Sequence, residues 1–519
     1  MLLLILIYIS KPAIALITTF LIILFPSPQT GWLFGYDSHA SALITKLIVN
    51  SGWPISETYL PGGFQQTPLL HFHTALTSSI TGLSIFPDKS PQLLITHLIP
   101  MAYVASAVAF SYCIVRLYVT TDSNSNDINT PNLVFLVPVL FWIPLFDWKT
   151  AYRRQSIGIV LFVCSLFLVL KFIKSREKKF SVIGAMTLIC MVLAHHFTTL
   201  VAVWTLLFIL AAVYLSDRKD VNWSEIWVVI VLFGVTITSW YIASGYGIRE
   251  ILLGIIVRNL ELLGGLGQTT ETVPNQISPS VLTVFRTFYS KWLYQLILGG
   301  AIFLLAVNKY YSDSRIELFD TFSLMFGSFI AIAAAFSLPF TFLDSYRLMT
   351  FFTIICGFAA LKSIAAFSSR TAWPITRIFI SVLIILSTTM VPPHAVSQTE
   401  PKYEEGEKSE RFSQEQYAVA EFIDYFGTSD RIIGDQHTQE IVARTAQLPV
   451  ILDPSAIKNG TVPVNSYIIL AERNNQLYWG KSYTKSGTYY NKIKFNNASQ
   501  TLSKNNNLIY STGNESVYQ

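Results

Sequence analysis

The sequence predicts an α-helical polytopic membrane protein of about eleven transmembrane helices with a small C-terminal external α/β domain. Three observations carry that expectation. Hydrophobic residues make up 52% of the 519 residues and charged residues only 13%, and the mean hydropathy is +0.47. Near-continuous apolar runs of about 15–25 residues recur from Leu2 to Met390, the length a bilayer demands of a helix. From His394 onward the composition turns abruptly polar and charged. Strands do not explain the runs, because apolar/polar alternation is missing and an open sheet edge cannot be satisfied in lipid.

The elements follow in chain order. Residues 2–25 are too long, and lack the small-residue cleavage site, for a removed signal peptide, so they read as a retained span. Gly35-Tyr36-Asp37-Ser38-His39 then places a carboxylate and an imidazole at the membrane surface. Apolar residues at Ala40, Leu43, Ile44, Leu47 and Ile48 have one-face helical spacing, and Gly52-Trp53-Pro54 closes the run. Residues 67–86 carry His71 and His73, which are costly at membrane depth, so they read as a helix lying in the outer interface. Residues 26–90 thereby form one long first external loop. Spans follow near 91–118, 132–146, 156–173, 180–194, 197–216, 225–245, 291–308, 319–340, 346–367 and 376–391. The loop at 171–179 carries Lys171, Lys174, Arg176, Lys178 and Lys179 against Glu177, which orients it to the cytoplasm. Arg116, Arg218 with Lys219, Lys309 with Arg315, and Arg370 with Arg377 then share that side. The N-terminus is cytoplasmic and the tail extracellular in a multi-pass protein of the cell membrane.

Residues 1–392 thus form the transmembrane domain, 393–412 a charged linker and 413–519 a soluble external domain. In the last of these, a helix is expected near 413–427, a strand at 431–435, a second helix near 437–446 and a strand at 450–453, followed by Tyr- and Asn-rich strand-like sequence. Asn-x-Ser/Thr sequons stand at Asn459, Asn497 and Asn514, and a fourth at Asn222 falls in a cytoplasmic loop, where it should go unused. Cys113, Cys164, Cys190 and Cys356 all sit in apolar runs and read as packing residues, not as a disulfide framework or metal site. The net charge of +5 is modest and the basic residues lie between spans, which disfavours nucleic acid as a partner. No internal repeat is evident, which weighs against transporter folds built from inverted repeats.

In this topology Asp37, His39, Glu57, His71, His73, Asp147, Arg153, Arg154, His195, His196, Asp344 and Arg347 all fall on the external side. Each costs energy to place near a membrane, so their collection at one face marks a functional site.

The layout resembles the C-type membrane glycosyltransferases, the GT-C superfamily, in an archaeal-type form. That superfamily includes protein O-mannosyltransferases, lipid A aminoarabinose transferases and the oligosaccharyltransferase catalytic subunit. The likeness spans roughly residues 1–390. It is carried by Tyr36-Asp37 with its amphipathic helix, Thr67-Pro68-Leu69-Leu70-His71-Phe72, Tyr152-Arg153-Arg154-Gln155, the His195-His196 break between short spans, and the external tail. The resemblance implies a polyprenyl- or dolichyl-phosphate-linked sugar donor, a protein, lipid or glycan acceptor on the external face, and a divalent metal such as magnesium or manganese. By it, Asp37 is the catalytic base, and Arg153, Arg154, Arg347 and His196 hold the donor phosphate. His39, Glu57 and His195 are metal ligands or a second acid. The Trp-Trp-Asp-Tyr-Gly motif of oligosaccharyltransferases is absent, and Tyr478-Trp479-Gly480 does not replace it, which counts against direct asparagine glycosylation.

The residues by themselves leave alternatives open. Asp37 also suits a helix N-cap, Arg153 and Arg154 suit interfacial snorkelling, and Arg347 suits an ion pair with Asp344 three residues away. At the level of the whole chain, a flippase or transporter of lipid-linked saccharide and a non-catalytic scaffold displaying the tail are the competing classes. Transport should place charges near mid-membrane in broken helices, and here they gather at one face.

Overall fold

The computed structural model describes residues 36–52, 67–85, 95–118, 152, 154–215 and 223–243, single helical positions within 322–328 and 351–358, and, in the tail, 414–427, 431–434, 438, 450–451, 454–471, 477–484, 487–494, 498–512 and 515–519. The spans expected at 2–25, 132–146, 291–308 and 376–391 lie outside these residues. The chain divides into two compact units. One comprises Met1–Thr30, Gln65–His73 and His97–Ser397, and the other Gly31–Phe64, Thr74–Thr96 and Gln398–Gln519.

The helices are α1 (Tyr36–Ser51), α2 (Leu69–Thr81), α3 (Ile95–Tyr118), α4 (Arg154–Ser175), α5 (Lys178–Ala194), α6 (His196–Leu215) and α7 (Trp223–Ala243). Among the described residues three stretches are long and apolar enough to cross a membrane: Leu98–Val115 in α3, α4 and α6. A shorter apolar stretch, Ile226–Trp240, lies in α7. In the first unit α5 packs along α4 and also touches α6 and α7. The core between them is mainly apolar: Phe162, Leu166 and Ile173 of α4, Leu188 and Met191 of α5, and Val201, Leu206 and Ile209 of α6, with Ser165 and Thr205 buried among them. Phe162 is fully buried and meets the ring of Phe351 edge-on at 5.0 Å. Burial of each such side chain is worth about 1.5–3 kcal/mol against water, but in lipid it is close packing that holds helices together.

The two ends of α4 differ in chemistry. At its C-terminal end, Lys174 donates from Nζ to the Leu117 carbonyl at 2.7 Å, placing a cation on the negative end of α3. Arg176, with φ 59°, turns the chain in the left-handed region between α4 and α5, and Lys179 pairs with Glu177. The 22 residues of α4 span about 33 Å at 1.5 Å per residue. That length separates this basic hairpin from the N-terminal end of α4 by about one hydrocarbon core. The 17 residues of α5 return about 25 Å of that distance, and the 20 residues of α6 go back about 30 Å.

In the second unit α1 departs from expectation in two ways. Its helix already begins at Tyr36, so Asp37 stands in the first turn instead of at the N-cap. Its buried residues include Ser41, Ala42 and Thr45 as well as Ile44 and Leu47, while Ile48 is half-buried and Val49 exposed. The buried side therefore takes in polar positions that an apolar-stripe reading leaves out. Thr45 is satisfied by its own helix, donating to the Ser41 carbonyl at 2.8 Å.

The tail builds a five-stranded sheet from β1 (Arg431–Ile433), β2 (Val450–Ile451), β3 (Ser466–Ala471), β6 (Leu508–Ser511) and β7 (Glu515–Tyr518), in the order β2-β1-β3-β7-β6. β1 runs parallel to β2 and β3, and β7 antiparallel to β3 and β6. A separate hairpin joins β4 (Leu477–Thr484) to β5 (Gly487–Lys494). Period-two alternation splits the sheet's side chains. Ile432, Tyr467, Ile469 and Val517 pack against Val419, Ala420 and Ile423 of α8 (Gln414–Phe426). Ile433, Ile468, Leu470 and Tyr518 pack on the other face against α9 (Pro454–Asn459) and α10 (Ala498–Asn505), through Ala456, Ile457, Ala498 and Leu502. Of the helix expected near 437–446, only Thr438 falls among the described residues, and it is helical.

Candidate functional site

Thr67, Arg154, Gln155 and His195 stand at the end of α4 opposite the basic hairpin. Arg154 opens α4, so its guanidinium stands beside the N–H groups of the helix's first turn, at the positive end of the helix dipole. Arg154 donates from Nη1 to Thr67 Oγ1 at 2.6 Å. Thr67 is buried two residues before α2 begins, and the Pro68 carbonyl accepts from Phe72 N at 3.0 Å to open that helix. This contact ties the start of α4 to the start of α2 across 87 residues of sequence. Gln155 is buried beside Arg154, and its Nε2 has no hydrogen-bond partner among the described residues.

One turn further, Gly158 brings α4 against the break between α5 and α6. A Cβ there would lie 2.9 Å from Thr198 Oγ1 and 3.0 Å from His195 Cβ. Gly158→Val is therefore expected to destabilise the bundle by about 1–3 kcal/mol through overpacking. Thermal unfolding in detergent checks this, and an unchanged melting temperature would refute the contact.

The break itself is a single extended residue. His195, at φ −164° and ψ 118°, ends α5 through its N–H to the Met191 carbonyl at 3.0 Å, and its own carbonyl accepts from Thr199 N at 3.1 Å. Its side chain does what Ser or Asp does at an N-cap. Nδ1 accepts from Thr198 N at 3.3 Å and stands 2.8 Å from the Thr198 hydroxyl. An accepting Nδ1 places the ring proton on Nε2. Thr199 Oγ1 donates to the Met191 and His195 carbonyls, so the broken ladder is resatisfied within one turn. His196 is half-buried, its ring centroid 5.1 Å from that of His195 and tilted by 41°.

His71 and His73 diverge on α2, as a two-residue spacing requires. His71 is fully buried. His73 stacks on Tyr103 of α3, with Nδ1 2.7 Å from the phenol oxygen, and partial burial holds its imidazole below the ordinary value.

Of the sequence-derived site, the structure brings Arg154, His195 and His196 to one end of the bundle. Arg153, Arg347 and Glu57 lie outside the described residues, as do the side chains of Asp37 and His39. Among the described residues no three His, Cys, Asp or Glu side chains come together as a metal site. With His195 Nδ1 engaged in the cap, His195 and His196 alone do not fit a divalent cation. Gly158 and Tyr103 went unmarked by the sequence. A glycine in an apolar run and a tyrosine in a span carry no local signal of the neighbour each will meet.

No family profile and no curated protein matches the chain. Solved structures do. The oligosaccharyltransferase of Archaeoglobus fulgidus, tethered with an acceptor peptide containing the NVT sequon, aligns at a TM-score of 0.53 and 12% identity, over 94% of this chain and 74% of that one. The archaeal oligosaccharyltransferase AglB from Archaeoglobus fulgidus, in complex with an inhibitory peptide and a dolichol-phosphate, aligns at 0.50 and 11%, over 91% and 74%. The chain thus shares the fold of these two archaeal structures.

Proposed function

We propose that the protein is a membrane glycosyltransferase that takes a sugar from a polyprenyl- or dolichyl-phosphate-linked donor and passes it to an acceptor on the external face. One observation carries the reading. Arg154 stands at the positive end of a membrane-length helix, at the end of the bundle where Thr67 and the His195 break also lie. A helix N-terminus and a guanidinium both favour a phosphate oxygen. The shared fold supports the choice of anion, since a structure with that fold was solved with a dolichol-phosphate.

In this reading Arg154, with Arg153, Arg347 and His196, stabilises the lipid phosphate as it departs. Asp37 takes the acceptor's proton as the sugar–acceptor bond forms. The purified protein in nanodiscs should bind dolichyl phosphate and discriminate against dolichol, which lacks the phosphate. Equal binding of the two lipids would sink the phosphate site. The side assignment has its own check: single-cysteine variants Leu60→Cys and Gly480→Cys should both be labelled in intact cells by a membrane-impermeant maleimide. Protection of either overturns the external placement.

A further inference from the structure

We propose that Asn459, in the sequon Asn459-Gly460-Thr461, carries an N-linked glycan received from a lipid-phosphate-linked donor. The sequon coincides with a helix C-cap. Asn459 closes α9, Gly460 adopts φ +67°, Gly460 N donates to the Ile457 carbonyl at 3.3 Å, and Thr461 N donates to the Ala456 carbonyl at 3.2 Å. These two bonds make a Schellman motif, in which the middle residue must be left-handed. Gly460 is further fixed by packing, since a Cβ would lie 2.7 Å from Thr501 Cγ2 and 2.8 Å from the Thr501 carbonyl oxygen.

The fold therefore explains the glycine and leaves its two neighbours unexplained. Asn459 and Thr461 are both exposed, and neither side chain hydrogen-bonds to a described residue. A Schellman motif favours an apolar residue where Thr461 stands, and here Val462, one residue later, supplies the contact with the core beneath α9. The contrast with Asn506 is direct. That side chain donates to the Gly460 and Leu502 carbonyls at 2.9 Å each and accepts from Val462 N at 3.2 Å. One asparagine of this corner is consumed by the fold and the other projects into solvent beside a threonine hydroxyl two residues on, the pattern glycosylation requires.

The transfer balances simply. The bond between the sugar's anomeric carbon and the lipid phosphate oxygen breaks, the lipid phosphate leaves with the electron pair, and the anomeric carbon bonds Asn459 Nδ2, which gives one proton to a base. Asn222 is an internal control. It lies in the sequence between α6 and α7, in a loop that the charge pattern assigns to the cytoplasm.

The proposal rests on the external placement of the tail. Glycopeptide mass spectrometry of the full-length protein, purified from membranes of its native host, should find a glycan on Asn459 and none on Asn222. Thr461→Ala should abolish it and Thr461→Ser should retain it, with the tail folded in both because the hydroxyl bonds no described residue. An unmodified Asn459 in protein whose Gly480→Cys variant is labelled from outside overturns the proposal while sparing the topology. A glycan on Asn222, or a tail closed to external label, overturns both.

Discussion

Replacing Asp37 by Asn is expected to lower sugar transfer by about 10²–10⁴-fold, the usual contribution of a positioned general base, while the protein stays folded. Because α1 begins at Tyr36, Asp37 lies within its first turn, where a carboxylate gains only about 0.3–1 kcal/mol from the helix dipole. The predicted rate loss corresponds to about 3–5 kcal/mol of transition-state stabilisation, so the two roles separate by magnitude. Asn keeps the shape and the hydrogen-bonding oxygen and removes the basicity. Turnover of the purified variant with lipid-linked donor, measured beside its thermal unfolding, decides the matter. Near-normal turnover would end the general-base assignment, and a collapse of the melting temperature would assign Asp37 to structure.

What could be read from the sequence was whatever is local. The span expected at 156–173 appears as Arg154–Ser175, and the one expected at 180–194 as Lys178–Ala194, because an uninterrupted apolar run bounded by charge leaves a helix few other places to end. The His-His pair located the α5–α6 break for the same reason, being the polar interruption in a run of hydropathy. Within 67–86, expected to lie in the outer interface, a helix stands at Leu69–Thr81. Pairings were not legible. Arg154 could be seen to open a helix, but nothing local joins it to Thr67, 87 residues away. His195 offered a ligand by composition, and only the backbone bend revealed that its Nδ1 caps α6. In α1 an apolar stripe was visible, whereas the burial of Ser41 and Thr45 depends on neighbours the stripe does not name. The short strands β6 and β7 were read only as strand-like, since an edge is assigned by its partner, and β7 finds its own in β3 about 45 residues earlier.

The Arg154–Thr67 bond gives the second large expected effect. If Arg154 holds the donor phosphate, Arg154→Gln should raise the KM for the lipid-linked donor by about ten- to a hundredfold, the loss of a charge-assisted bond of about 1.5–3 kcal/mol. Arg154→Lys should be impaired as well, because a point charge cannot serve Thr67 Oγ1 and a phosphate together as the guanidinium fork does. Thr67→Val leaves the charge in place and removes only the group that orients it, so its effect on KM should fall between wild type and Arg154→Gln. A purely structural Arg154 predicts a different pattern. Thr67→Val and Arg154→Gln would then lower the melting temperature alike, and neither would change the donor KM. Phosphate binding adds a dependence on ionic strength that the structural role lacks: added salt should weaken donor binding by the wild type more than by Arg154→Gln. Donor KM across wild type and the three variants at low and high salt, together with their melting temperatures, separates the two. An Arg154→Lys protein with wild-type KM at both salt concentrations would remove Arg154 from the phosphate site.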